Sequence, residues 1–427
     1  MIATTLGVLF GMLLLSLPVA AVLGLTGVVL AESWSFMPSI RGLATVSWSA
    51  MNDPLLVAVP LFVLMGELLL RSGLAARMYG ALTSWIAWLP GGLMHANIGT
   101  ATLFSATCGS SVATAATVAT TAIPEIRRNG YNEPLFLGSI AASGTLGILI
   151  PPSINLILYG AMTNTSIPGL YLAGIVPGLL LAACFSLVVL LVCLWRPEHG
   201  GRKVRVSWGQ RIAELPHLVP PLFIFLLVVG SIYAGWATPT EAAALGVAGA
   251  FVMTLIMGRC SAAMLQAAFA GTIRTTGMLI AITAAAYFLN FVFGNIGLTR
   301  TVQAFFEGLG LGPYGTVLVI VAFYLVAGLF METLSLMVAT VPIFTPIVVA
   351  LGFDPIWFGI LVILLIETAL ITPPVGINLF VVQGIRDGGS IRDVIRGVVP
   401  FLGALMFMIV ALIIFPGLAL KLPEMFG

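Results

Sequence analysis

The chain is 427 residues long, 60% hydrophobic and only 7% charged, with a net charge of +2 and a mean hydropathy of +1.15. Soluble domains are about one quarter charged, so this composition excludes a soluble enzyme, a disordered chain and a nucleic-acid binder, and leaves the bilayer as the solvent. The net charge is too small to imply an acidic partner, so the positions of the charges inform more than their sum.

A spanning helix needs about 20 apolar residues. In chain order, spans are predicted near 2–30, 54–70, 134–160, 168–195, 216–234, 236–258, 273–295, 354–385 and 397–419. The run from Ile2 to Leu30 lacks a basic start and is too long for a signal peptide, so it reads as a span. Stretches 73–89 and 297–309 are amphipathic. Arg77, Trp85 and Trp88 on the first suit a helix lying along the membrane surface, where it serves as an arm or a simple connector. Arg196 to Glu214, the longest polar piece, reads as a loop. In Gly235–Ala244, Thr238 or Thr240 can cap a helix and Glu241 suits its first turn. Cys108, Cys184, Cys193 and Cys260 lie in or beside apolar runs with no CxxC and no nearby His, so they read as small buried hydrophobes.

The loop holds Arg196, Arg202, Lys203, Arg205 and Arg211, which places it in the cytoplasm. Alternating outward puts fourteen of the 17 basic residues inside; Arg41, Arg300 and Lys421 fall outside. The pattern holds only if 91–122 and 314–350 each enter and leave on one face. Both are therefore predicted as re-entrant hairpins, the first opening to the cytoplasm and the second to the periplasm.

The sequence also resembles itself at an offset of about 222. Pro124 matches Pro346, Gly130-Tyr131 matches Gly352-Phe353, and Pro151-Pro152 matches Pro373-Pro374. With one residue inserted, Asn155 matches Asn378 and Pro177 matches Pro400. Gly73-Leu74 matches Gly297-Leu298. Four spans separate the two Pro-Pro helices, so the copies run in opposite directions. Inverted repeats with broken helices point to a secondary transporter with its site where the repeats meet.

Two consecutive prolines in mid-helix unwind it, and the freed carbonyls cannot face lipid. Protein, water or a cation must satisfy them; Ser153, Thr372 and the Asn amides could also repair them as simple kinks. The first hairpin is rich in Ser and Thr, with a predicted tip at Thr107-Cys108-Gly109-Ser110-Ser111. Such residues permit close packing and also offer the oxygens that hard cations take. The second tip region runs from Gly328 to Ser335 and includes Glu332. Glu332 and Glu367 are acids at membrane depth and so either functional or structurally hydrogen-bonded. Glu67 raises the same question, or reads instead as an interfacial partner of Arg71.

The run from Gly109-Ser110-Ser111 through Ile123-Pro124, Gly130-Tyr131 and Gly144 to Asn155 (GTLGILIPPSIN), ending at Ala173–Gly178, resembles the large membrane subunit of TRAP (tripartite ATP-independent periplasmic) transporters. Gly235–Ala244 and Thr372-Pro373-Pro374 match the same family, and the resemblance covers essentially the whole chain. It implies sodium-driven, ATP-independent uptake by an elevator motion, with a small four-helix membrane subunit and a periplasmic substrate-binding protein as partners. Family substrates are organic acids, including C4-dicarboxylates, sialic acids, keto acids and sulfonates. No cofactor is expected beyond Na+ as coupling ion. By this resemblance sodium is held by Ser105, Gly109, Ser110, Pro151 and Asn155 in the first half. In the second half it is held by Gly328, Glu332, Thr333, Thr372, Pro373 and Asn378. The substrate would meet Thr107, Ser111, Ser153, Thr333 and Gly376. Sialate-type members carry an acidic residue shortly after the first tip. Val112–Thr117 has none, which counts against a sialic acid and for a smaller organic acid.

The expected protein is thus an all-α polytopic transporter in the bacterial inner membrane. Scaffold helices occupy 1–72, the first repeat 73–195, a cytoplasmic basic loop 196–214, further scaffold helices 215–296 and the second repeat 297–427. Three rivals remain: a stand-alone sodium/carboxylate symporter of similar architecture, a membrane anchor, and an intramembrane hydrolase. The hydrolase would use Ser110 or Ser111 as nucleophile with His95 or His217 as base.

Overall fold

The computed structural model describes residues 1–35, 38–202 and 206–426. Lys203 and Arg205 of the basic loop lie outside these described residues. Among the described residues the fold is helical, with one isolated bridge between Tyr131 and Gly200. Seven of these helices are long and apolar enough to cross a membrane, or up to nine if each sharply bent pair is one span.

The first predicted span is two helices, α1 (Ile2–Leu14) and α2 (Val19–Trp34). Pro18 cannot continue a helix, and Ser16 takes a left-handed φ of 57° ahead of it. This corrects the expectation of one crossing at 2–30. A short α3 (Gly42–Met51), not anticipated from sequence, follows. Next come α4 (Ala58–Arg71) and the surface helix α5 (Leu74–Ile86). The first hairpin is α6 (Gly92–Cys108) and α7 (Ser111–Asn129), joined by two residues. At its base the Leu93 N–H donates to the Tyr131 hydroxyl at 3.0 Å. Burial pushes the Tyr131 phenol above its ordinary pKa, so it stays an uncharged partner. The first Pro-Pro helix is α8 (Glu133–Leu149) and α9 (Ile154–Thr163), bent by 40°. Then α10 (Ile167–Trp195) runs unbroken.

Part of the predicted loop is helical, a second correction. Ser207 and Gln210 form a capping box that starts α11 (Trp208–Glu214). α11 continues through α12 (Val219–Phe225) and α13 (Ser231–Tyr233) as one helical run. The Trp85 indole donates to the Arg211 carbonyl at 3.0 Å, which docks α11 on α5. Thr238 and Glu241 make a capping box for α14 (Pro239–Ile256). The span expected at 273–295 is the end of a 35-residue helix, α15 (Ala262–Ile296). At 1.5 Å per residue it is about 50 Å long and extends beyond the hydrocarbon, so Arg274 lies within the helix and not in a loop.

The second half repeats the order. α16 (Leu298–Leu309) is amphipathic and turns by 119° into α17 (Gly312–Ala327). α18 (Thr333–Ala350) completes the hairpin, and the Tyr324 and Thr340 hydroxyls join its arms at 2.6 Å. The second Pro-Pro helix is α19 (Pro355–Ile371) and α20 (Ile377–Ile385). α21 (Ile391–Ile414) stops short of the predicted end at 419, because Pro416 precedes a separate α22 (Gly417–Phe426).

α8 and α19 form the centre. Residues 135–149 and 357–371 are buried on every face, as befits helices apolar all round. The two helices pack on each other. Around them the halves interlock reciprocally: α9 packs on α18, and α20 on α7. Side chains tie the halves as well. The Tyr159 hydroxyl, in the middle of α9, donates to the Pro355 carbonyl at 2.7 Å. Arg386, just past α20, reaches Glu133 at the start of α8 at 2.9 Å and Asp393 in α21 at 3.1 Å. A frame of α2, α4, α14 and α15 packs together beside this body.

Candidate functional site

The first hairpin tip closes on Gly109 and Ser110. Gly109 takes φ +63°, and a Cβ placed there would sit 2.7 Å from the Pro152 carbonyl oxygen. Only glycine permits both the turn and the approach, so the tip lies directly on the first helix break. Ser110 caps α7, its hydroxyl accepting from the Ala113 N–H at 3.4 Å. At the break, Pro151-Pro152 is cis. Ser153 donates to the Ile148 carbonyl at 2.5 Å and accepts from the Leu156 N–H at 3.4 Å. One side chain thus satisfies a freed carbonyl and caps α9.

The second tip is longer and charged. Glu332 caps α18: one carboxylate oxygen accepts from the Ser335 N–H and hydroxyl, both at 3.1 Å, and the other from the Thr333 hydroxyl at 3.0 Å. Gly328 lies against Ala369 of α19. At the second break Pro373-Pro374 is also cis, and Thr372 donates to the Thr368 carbonyl at 2.5 Å. Gly376 begins α20 without a side-chain cap.

Asn378 joins the halves. Its amide nitrogen donates to the Ser111 hydroxyl at 3.1 Å and to the Ala141 carbonyl at 3.2 Å. Ser111 in turn donates to the Gly144 carbonyl at 3.0 Å. Asn378 is fully buried, and its amide oxygen has no hydrogen-bond partner.

Both tips and the first break meet at a cavity of about 390 Å³. Of the residues singled out from sequence, Gly109, Ser110, Ser111, Asn155, Glu332 and Thr333 line it. Pro151, Ser153, Gly328, Thr372, Pro373, Gly376 and Asn378 are not among its lining residues, so the second break is not brought to this cavity. Ser105 and Thr107 turn inward on α6, donating to the carbonyls of Ala101 and Phe104. The frame supplies the other wall, including Gly66 and Glu67 of α4 and Thr275 of α15. Glu67 pairs with Arg71 at 2.8 Å, as expected, but it also faces the cavity, which its sequence position alone did not reveal. Among the described residues the wall therefore holds two carboxylates and no Lys, Arg or His. Glu367 on α19 is fully buried with neither oxygen hydrogen-bonded, and it is absent from this wall.

No Ser-His pair forms at the first tip. His95 bonds Ser186 at 2.8 Å and the Pro90 carbonyl at 2.9 Å, about 20 Å along α6 from the tip by its rise per residue. His217 pairs with Glu214.

Comparison with known proteins gives a consistent result. Residues 6–418 match the family described as "Tripartite ATP-independent periplasmic transporter, DctM component". The chain is similar to the C4-dicarboxylate TRAP transporter large permease protein DctM of Pseudomonas aeruginosa, 34% identical over 95% of this chain and 94% of that one. It is similar to the ectoine TRAP transporter large permease protein TeaC of Halomonas elongata, 32% identical over 87% and 86%. Its fold resembles the Alcanivorax borkumensis YdaH transporter, with a TM-score of 0.65 at 16% identity over 97% of this chain and 99% of that one. These relatives are transporter permeases, not enzymes. With its apolar helices and this match along nearly its whole length, the chain belongs to the DctM family of TRAP transporter large permeases, multi-pass proteins of the bacterial inner membrane.

Proposed function

We propose that this permease imports a small organic-acid anion in symport with sodium. A periplasmic binding protein delivers the solute, and a small four-helix membrane subunit completes the carrier. The observation that carries this reading is the cavity wall, with two carboxylates, several hydroxyls and no base. Such a wall repels a lone anion. It accepts one that arrives with hard cations, which take oxygen ligands. The first sodium would use Ser105, Gly109, Ser110, Pro151 and Asn155. The second would use Gly328, Glu332, Thr333, Thr372, Pro373 and Asn378, whose unpartnered amide oxygen suits a cation. Thr107, Ser111, Ser153, Thr333 and Gly376 would position the anion. The C4-dicarboxylate relative favours a dicarboxylate, while the ectoine relative indicates that related permeases serve different solutes.

The motion proposed is an elevator, in which two inverted repeats move as one body against the frame. The reciprocal packing of α9 on α18 and α20 on α7 supports that relation between the halves. Labelled succinate in proteoliposomes is the test. Uptake should require an inward sodium gradient, the small subunit and the binding protein together. Uptake by this chain alone would overturn the tripartite reading in favour of a stand-alone symporter. Uptake indifferent to sodium would overturn the coupling.

A further inference from the structure

We propose that Arg71, outside the cavity lining but paired with Glu67 of its wall, is an anion-binding station through which the solute's carboxylate passes between the cavity and the cytoplasmic side. The proposal rests on reading the chain as an organic-anion carrier.

Glu67 lines the cavity, and Arg71 lies one helical turn beyond it on the same face of α4. The guanidinium engages Glu67 with part of its donor set. Nε and Nη2 donate to one carboxylate oxygen at 3.1 and 2.8 Å. Among the described residues Nη1 donates to no protein atom, and the other Glu67 oxygen accepts from none. A guanidinium has five N–H groups in a planar fork, so an open edge remains that matches a carboxylate. The Arg71 side chain is 34% exposed and that of Glu67 19%, which places the open edge on the wetter side of the pair.

The surroundings are shaped for this pair. A Cβ on Gly271 of α15 would lie 2.7 Å from the Glu67 carboxyl, so that glycine leaves the carboxylate its room. Thr275, one turn further along α15, lines the same cavity. On the other side Gly66 lies against Cys108 at the first hairpin tip, where a Cβ would be 3.1 Å from the Cys108 carbonyl oxygen. The pair therefore stands where the frame meets the tip, on the side to which the basic-residue count assigns the cytoplasm.

The electrostatics explain why the arginine is paired. The cavity offers an anion no fixed positive charge of its own. A bare guanidinium in a low-dielectric wall would hold a carboxylate too tightly to release it. Sharing the guanidinium with Glu67 leaves donors for the solute and weakens the hold, as a transport path requires.

The experiment compares Arg71→Gln, Arg71→Lys and the double variant Glu67→Gln/Arg71→Gln in the complete three-component system, with labelled succinate as probe. Thermal unfolding of each purified carrier reports folding. The proposal expects Arg71→Gln to lower maximal uptake at least tenfold while the sodium concentration for half-activation stays within twofold. Arg71→Lys, which keeps the charge and loses the fork, should fall between. The double variant decides. If the pair serves only to hold α4 in place, removing both charges restores uptake, and the proposal is overturned. If the fixed cation is needed, the double variant stays at least tenfold impaired with an unfolding temperature near wild type. Failure of the wild-type system to take up succinate with sodium would instead overturn the transport reading, and this proposal with it.

Discussion

The two hairpins meet the same requirement by different chemistry. Each must cap the helix that follows its tip, whose first N–H groups have no partner within the helix. The first hairpin uses a neutral hydroxyl, Ser110, after a two-residue turn. The second uses a carboxylate, Glu332, after a longer one. The breaks differ in the opposite sense. Ser153 caps α9, whereas α20 begins at Gly376 with no side-chain cap. The first half is thus self-satisfied and uncharged, while the second carries a negative charge and an open helix start. A cation and an anion brought together would complete the second half, whereas the first tip and break present neither a charge nor an uncapped helix start.

Glu332→Ala tests that asymmetry most severely. It removes three hydrogen bonds and the charge. Hydrogen bonds to charged groups contribute about 1.5–3 kcal/mol each, so sodium-driven uptake should disappear. Ser110→Ala, the matched change in the first tip, should cost only about 1 kcal/mol of stability and leave measurable uptake. Equal losses in a side-by-side assay would erase the distinction between the tips.

Asn378→Ala ranks next, because it cuts the bridge between the halves at Ser111 and Ala141. Two buried acceptors lose a donor, at a cost of about 1–3 kcal/mol each, so the unfolding midpoint in detergent should drop clearly. A smaller effect than that of Asn378→Ala is expected from Ser153→Ala. It frees the Ile148 carbonyl and uncaps α9, giving that break the open start that α20 already has. It should lower stability by about 1–2 kcal/mol and leave sodium activation in place.

Features legible in the sequence were those written in local chemistry. Proline lacks an N–H, so both Pro-Pro breaks could be read without a structure. Glycine beside hydroxyls marked the first tip, and amphipathic spacing marked α5 and α16. Local signals were also overridden by the apolar background: Pro18 divides what reads as a span, and Ser207 with Gln210 starts a helix inside what reads as a loop. The rest depends on chain crossings that no spacing encodes. Glu67 reads either as a functional acid at membrane depth or as an interfacial partner of Arg71, and only the packing of α4 against α15 and the first tip shows it facing the cavity while paired. Asn378 marked the second break, but its partners lie on the other half of the chain.

The ties between the broken helices have a mechanical consequence. Tyr159 fastens the middle of α9 to the start of α19, and Arg386 fastens the end of α20 to the start of α8. Asn378 pins the middle. Two rods joined at three separate points cannot scissor freely against each other. The two breaks are therefore coupled as members of one truss, and a displacement of either is resisted unless the other follows.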